Sequence, residues 1–130
     1  MTAGLHAVNV ANKILTVYRN TAFAAIATVY VQLHTGDPGA AGTTAVSVGD
    51  ATRKQASWNA AAGGSMALSS SPANWTNGGT SETINYISLW DQSSSGNFLQ
   101  SASVGSPQAW ASTNTLTITT LTLSYTPIAA

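Results

Sequence analysis

Two stretches of the chain decide its fold: Thr28-Val-Tyr-Val-Gln-Leu-His-Thr-Gly-Asp-Pro-Gly39 and Glu82-Thr-Ile-Asn-Tyr-Ile-Ser-Leu-Trp-Asp91. The first is a strand, because Val29, Val31 and Leu33 would share one face of an extended chain. The strand is predicted to end in a tight turn, because Pro38 has a fixed φ and no N–H donor. The glycines on either side of the Asp-Pro pair permit the left-handed conformations that such a turn uses. The second carries large side chains on both faces, which predicts a central strand.

Shorter apolar runs predict the rest of a sheet. Strands are expected over Thr52–Trp58, around Met66 and Leu68, and over Asn97–Gln100 after a hairpin turn at Asp91–Gly96. The stretches Ala40–Asp50 and Ser69–Gly79 have the composition of loops. Over Thr113–Tyr125 the alternation slips at Thr119-Thr120, which predicts a bulge or a short turn there.

The N-terminal stretch has a different period. Apolar residues recur at three- and four-residue steps over a predicted amphipathic helix that ends near Asn20: Leu5, Val8, Ala11, Leu15 and Tyr18. The first interpretation is a helix that covers one side of the sheet through this stripe. The second is an arm that docks on a neighbouring subunit.

These elements predict one mainly β (α+β) domain over residues 1–130. Its N-terminal amphipathic helix, or arm, spans residues 1–20 and packs on a small antiparallel β-sandwich or barrel over residues 28–126.

Charged residues are scarce, at 6 % of the chain, against roughly 25 % in a typical soluble domain. Four cations cannot easily form the basic patch that a nucleic-acid interface requires, so no nucleic-acid partner is expected. A formal net charge of zero also gives little repulsion between copies. Such a surface suits permanent contact with other subunits, because burying hydroxyls is less costly than burying charges. The composition therefore indicates an assembly component.

The chain contains no cysteine, which excludes disulfides and thiolate metal sites. Its most apolar window, residues 22–31, is much shorter than the roughly 20 residues that cross a bilayer. We expect no signal peptide, because polar residues interrupt the N-terminal stretch, and no membrane insertion.

Catalytic chemistry has few candidates. His34 and Asp37 flank the turn and form the best titratable pair, but a His and an Asp at a strand end are common. A serine nucleophile would need one of only two histidines as its base, and no Gly-x-Ser-x-Gly motif occurs. We therefore predict no enzymatic activity, no metal and no cofactor.

Binding is the more promising class of function. The candidate interface or surface-binding residues are Trp75, Tyr30, His34, Asp37, Arg53 and Lys54. The tryptophans could stack on sugar rings, although tryptophan is equally suited to anchoring a core or an interface. Trp75, in the most loop-like stretch, is either an anchor on the body or, if exposed, the residue of a glycan site.

Three segments occur in a recognisable order: Tyr30-Val-Gln-Leu-His-Thr-Gly-Asp-Pro-Gly39, Arg53-Lys-Gln-Ala-Ser-Trp-Asn-Ala-Ala-Ala-Gly-Gly64 and Tyr86-Ile-Ser-Leu-Trp-Asp91, with Gly96-Asn-Phe-Leu99 after them. In this order they resemble small virion proteins of actinobacterial tailed phages, described as tail-fibre-like, minor tail or head decoration proteins. The resemblance implies a virion component without enzymatic activity, assembled in the host bacterial cytoplasm. It also implies a homo-oligomer, with the trimer as the arrangement common among decoration proteins.

Two functional hypotheses follow. The first is a capsid decoration (minor capsid) protein that binds the major capsid protein and stabilises the outside of the head. The second is a minor tail or tail-fibre component that binds other tail proteins and contacts a glycan on the host surface.

Overall fold

The two stretches quoted above form the centre of the sheet. The computed structural model describes residues 3–125. Strands β1 (Val29–His34) and β5 (Glu82–Trp90) pair antiparallel, with Leu33 opposite Ile87 and Val31 opposite Leu89. All four of these apolar side chains are buried, so the predicted alternation and the central place of β5 are confirmed.

A curled antiparallel sheet extends on both sides of this pair. The other strands are β2 (Lys54–Trp58), β3 (Ser65–Ser70), β4 (Trp75–Thr76), β6 (Phe98–Trp110), β7 (Thr115–Leu116) and β8 (Thr122–Ser124). Six of the strands are ordered β6-β5-β1-β2-β3-β8, and β4 pairs with β7 in a small second sheet. The predicted mainly β fold with an N-terminal helix is confirmed. The end of the predicted body, residue 126, lies outside the described residues.

Strand β6 is longer than the predicted Asn97–Gln100. Its pairing with β5 jumps from Ser103 opposite Tyr86 to Gln108 opposite Ile84, so extra residues of β6 bulge out between these two pairs. The bulge contains Pro107, which is tolerated because β6 is an edge strand. Gly4–His6 covers another part of this edge, since Leu5 pairs with Gln100.

The C-terminal segment divides between the two sheets. β7 pairs with β4, and β8 pairs with β3, with a break over residues 117–121. This break confirms the predicted loss of alternation at Thr119-Thr120. It lets Leu116, Ile118 and Leu121 all pack against the core, although they lie in different alternation phases.

The N-terminal helix (residues 7–19) is present and packs on the β-rich body as predicted, but through a different face from the predicted apolar stripe. It starts with a π-helical turn at Ala7–Ala11, continues as an α-helix at Asn12–Thr16 and ends in a 3₁₀ turn at Val17–Arg19, where Asn20 is left-handed as a C-cap. Val10 is the helix residue in the core, with Ile14 packed beside it. Three residues of the predicted stripe, Val8, Leu15 and Tyr18, are exposed instead.

Candidate functional site

The imidazole of His34 is fully buried at the end of β1 and belongs to a chain of hydrogen bonds. Its Nδ1 lies 2.8 Å from the Thr44 carbonyl oxygen, which only accepts, so Nδ1 carries the proton. Nε2 then accepts from the Ser88 hydroxyl at 2.7 Å, and the Ser88 oxygen accepts from Trp90 Nε1 at 2.8 Å. The network ties the loop after β1 to the centre of β5.

Burial favours the neutral form of His34. Burial lowers the pKa of His34 below its ordinary value, and the charge of Arg53 acts in the same direction, although the Thr44 hydrogen bond opposes them. Asp37, the candidate partner, accepts a hydrogen bond from the Gly39 N–H at 2.8 Å and so closes the turn. Both ring nitrogens of His34 are engaged elsewhere, which gives the predicted pair two separate structural roles.

Arg53 is the candidate with the most contacts. Its guanidinium carbon lies 3.4 Å from the centroid of the Trp90 ring, a cation–π contact. Its Nη1 donates to the carbonyl oxygens of Gln92 and Ser95, in the hairpin turn between β5 and β6. Burial lowers the pKa of Arg53, while the charge of Asp91 opposes that shift. Arg53 therefore holds this turn against the sheet.

Hydrogen bonds between residues at the two ends of the hairpin turn also stabilise it. Asp91 accepts from the backbone N–H of Asn97 at 2.6 Å and from its side-chain amide at 2.7 Å. Gly96 follows in a left-handed conformation, with φ of 73°, that side chains rarely adopt. The turn predicted at Asp91–Gly96 is thus present and held by two charged residues.

Trp75 is not a surface residue, so the hypothesis of a glycan site built on it is wrong. Its side chain has 0 % exposure, and its Nε1 donates to the Thr52 carbonyl oxygen at 2.9 Å. It anchors the loop-like stretch on the body, as the alternative interpretation predicted. A ring enclosed in the core cannot stack on a sugar.

The remaining candidates, Tyr30 and Lys54, are half-buried in neighbouring strands. Tyr30 stands opposite Gln55 of β2 and Trp90 of β5. Lys54 Nζ lies 3.9 Å from Asp50 Oδ2, four residues earlier. The structure thus places Tyr30 opposite Trp90 in the sheet and Arg53 over the Trp90 ring, and it leaves Lys54 in a separate ion pair.

Sequence reasoning missed a fully buried residue, Asn77, that joins three segments. Its side-chain amide donates to the carbonyl oxygens of Thr80 and Trp110 at 3.1 and 3.0 Å, and its Oδ1 accepts from the Gly79 N–H at 2.9 Å. A Cβ added at Gly49 would lie 2.5 Å from that same Oδ1, so only glycine fits there. The Asn-Gly-Gly sequence was the available signal, but it was interpreted only as a loop.

Glu82, the first residue of β5, fastens the loop that precedes β2. Its carboxylate accepts from the Ser47 hydroxyl and from the backbone N–H groups of Val48 and Gly49. The loop predicted over Ala40–Asp50 is present, and Glu82 attaches it to the sheet. Like His34, Arg53 and Asp91, Glu82 has partners within its own chain.

Two apolar features stand out on the surface of residues 3–125. The first is the outer side of the N-terminal helix. The second is an open groove of about 580 Å³ beside the helix start, lined mainly by apolar side chains that include Leu5, Val10, Val29, Met66, Leu99 and Leu123. The helix therefore fills only part of the space next to the sheet.

Within residues 3–125, no group of three His, Cys, Asp or Glu side chains is placed to hold a metal ion. None of the helices in this part of the chain is long and apolar enough to cross a membrane.

Fold and contacts together define a small, β-rich protein in which Arg53, Glu82 and Asp91 hold loops of the same chain. A family model described as podophage GP4 fiber I protein gp80 matches residues 6–126, and the chain belongs to this family. The match confirms the resemblance to a phage virion protein. No curated protein matches the chain.

Proposed function

We propose that this chain is a structural component of a phage tail fibre and has no enzymatic activity. The observation that carries the proposal is the family match over residues 6–126, to a family described as a fibre protein. A virion structural protein acts through its surfaces, and the burial of His34 and the internal partners of Arg53 and Glu82 agree with that role.

Other virion proteins are its proposed partners, with tail proteins first among them. We also propose that the chain forms a homo-oligomer. No observation specifically favours a capsid decoration role, so attachment to the head becomes the alternative outcome of the test. With Trp75 in the core, contact with a host glycan has lost its main support.

The test is the location of the protein on virions. A small epitope tag placed in the exposed turn at residues 92–95 would be visualised by immunogold electron microscopy of purified particles. Gold particles at the tail are expected. Gold spread over the head would contradict the proposal and favour decoration. An untagged phage serves as the control for non-specific labelling.

The absence of catalysis has its own test. His34→Gln would remove the one buried imidazole while keeping an amide that can accept from Ser88. Virions carrying His34→Gln are expected to adsorb and infect as the parent does. Loss of a measurable hydrolytic activity in this variant, with the fibre still assembled, would contradict the proposal.

A further inference from the structure

The N-terminal helix presents apolar side chains to solvent. Val8, Leu15 and Tyr18 are 64, 61 and 89 % exposed, and with Ala11 they follow the three- and four-residue spacing of a helix–helix contact. We call Val8, Ala11, Leu15 and Tyr18 the helix stripe. A single exposed apolar residue is ordinary, but a periodic set on one helix indicates a surface that is covered in the assembled protein.

Only the start of the helix is fastened to the body. The His6 N–H donates to the Leu99 carbonyl oxygen at 2.7 Å, and the Asn9 side chain donates to the Phe98 carbonyl oxygen at 2.8 Å. The His6 and Phe98 rings meet edge to face, with centroids 5.7 Å apart. After Val10, Ile14 is the helix residue that still packs against the core, and it is half-buried. The last turns of the helix therefore make fewer contacts with the body than its start does.

Partner binding by strand addition is disfavoured at the β6 edge. The bulge with Pro107 interrupts its backbone pairing, and Gly4–His6 occupies part of the rest. At the opposite edge, β8 spans only Thr122–Ser124. A partner would therefore contact side chains and not the backbone of a sheet edge. The helix stripe is a regularly spaced apolar surface that suits such a contact.

We infer that the helix stripe packs against the same stripe of a second copy of this chain. The inference rests on the proposed role as an assembly component and names the surface through which copies meet. No residue of the stripe is charged, and Arg19 lies beyond it at the end of the helix, so identical copies can pack along the stripe without placing like charges inside the contact. Lys13 is held away from it, with its Nζ 5.8 Å from the centroid of the Phe23 ring.

The area of the helix stripe supports a weak contact with a second copy. Covering an aromatic side chain removes about 150–250 Å² from water, which puts the stripe at roughly 400 Å² per chain. Two copies would bury roughly 800 Å² through the stripe alone, close to the lower limit of about 1,000 Å² for a specific interface. We therefore expect the contact to be weak and concentration-dependent in solution.

The absence of cysteine from the chain gives a clean experiment. Leu15→Cys and Tyr18→Cys place one thiol on the helix stripe, and Val48→Cys places one on a loop residue that is 76 % exposed. A disulfide between copies requires Cα atoms within about 7 Å of each other. On mild oxidation, the two helix variants are expected to form covalent dimers at least tenfold faster than Val48→Cys, and denaturant is expected to abolish the difference.

Sedimentation velocity of the unmodified chain provides a second, thiol-free readout. Its sedimentation coefficient is expected to rise with concentration, while a Leu15→Ser/Tyr18→Ser variant with unchanged circular dichroism stays monomeric. Equal cross-linking of Val48→Cys, a monomeric parent at every concentration, or association retained by the double variant would each overturn the inference. These measurements use the purified chain and test only self-association. The virion labelling tests the location of the protein, so a negative result in one experiment leaves the other hypothesis intact.

Discussion

Strand β5 and the N-terminal helix both carry large apolar side chains, yet those of β5 are buried whereas three of the four side chains of the helix stripe are exposed. In β5, Ile84, Ile87 and Leu89 are covered, because strands lie on both sides and the curled sheet packs over them. In the helix, Leu15 and Tyr18 remain exposed, because the helix packs on the body through Val10 and Ile14 on another face. The difference shows that periodicity establishes which side chains share a face, but not whether this chain supplies the partner for that face.

Polar side chains also have different roles in the β-rich body and in the helix. Around the central strands, His34, Asn77 and Glu82 have partners in loops that are distant in sequence, so the body holds its own turns. On the helix, Thr16 donates to Lys13 three residues earlier, which holds nothing but the helix itself. Substitutions in the body should therefore alter stability, and those on the helix should alter association.

The largest loss of stability is expected from substitution of Trp75. Trp75→Ala would remove a fully enclosed ring and its hydrogen bond to the Thr52 carbonyl, which lowers the free energy of unfolding by about 3–5 kcal/mol. Urea denaturation followed by circular dichroism measures the loss. Tyr18→Ala is the matched aromatic control on the helix, and a similar loss there would remove the distinction between the two regions.

Asn77→Ala is expected to cause the second largest loss of stability. It would leave the Thr80 and Trp110 carbonyls and the Gly79 N–H without their side-chain partner, at a cost of about 2–3 kcal/mol. Asn59→Ala is the control, since that exposed side chain makes a single 3.3 Å hydrogen bond to the Leu68 carbonyl. Equal midpoints of urea unfolding for the two variants would contradict the role given to Asn77.

Stability should fall as the solution becomes acidic, in part because of His34. Burial lowers its folded-state pKa below the unfolded value of 6.5, so the unfolded chain binds a proton first as the pH falls. The contribution is complete above pH 6.5 and is lost as the pH falls through the folded pKa. His34→Gln should flatten the profile of unfolding free energy between pH 7 and 5, and an unchanged slope would show that another group is responsible.

Arg53→Met should cost about 1 kcal/mol, the value of a partly shielded cation–π contact. Methionine keeps an unbranched apolar side chain but carries no charge and donates no hydrogen bond to Gln92 or Ser95. Because the guanidinium lies on Trp90, the tryptophan emission of the folded protein should also change. Arg19→Met, an exposed arginine at the helix end, should change neither the stability nor the emission.

The smallest effect on stability is expected on the helix. Leu15→Ser should change the unfolding free energy of the monomer by less than about 0.5 kcal/mol, because exposed positions away from special features are tolerant. Dilute samples, in which the chain is monomeric, are required for this measurement. A loss of 2 kcal/mol or more would mean that Leu15 packs on its own body.

The sequence predicted most of the fold where the information is local. The bounds of β5, the turn at Asp91–Gly96 and the break near Thr119-Thr120 all follow from alternation and turn chemistry within a few residues. The second half of β6 was missed because Ser, Gly105 and Pro107 are poor strand formers, and only an edge position allows them.

The candidate residues could be named from the sequence, but their roles could not. Both His34 and Arg53 were picked out, yet their partners Ser88 and Ser95 lie far along the chain and meet them only in the folded sheet. Asn77 was missed for the same reason, since its partner Trp110 comes from β6. The orientation of the helix stripe was not predictable because its proposed partner belongs to another copy.

Hydrogen–deuterium exchange of the purified chain at low and high concentration tests the central claim, a self-sufficient body with a helix that another copy completes. Amides of β1 and β5 are expected to be protected at both concentrations. Amides of residues 12–19 are expected to exchange rapidly in dilute solution and to become protected at high concentration. Helix amides as protected as those of β5 even in dilute solution would contradict the account.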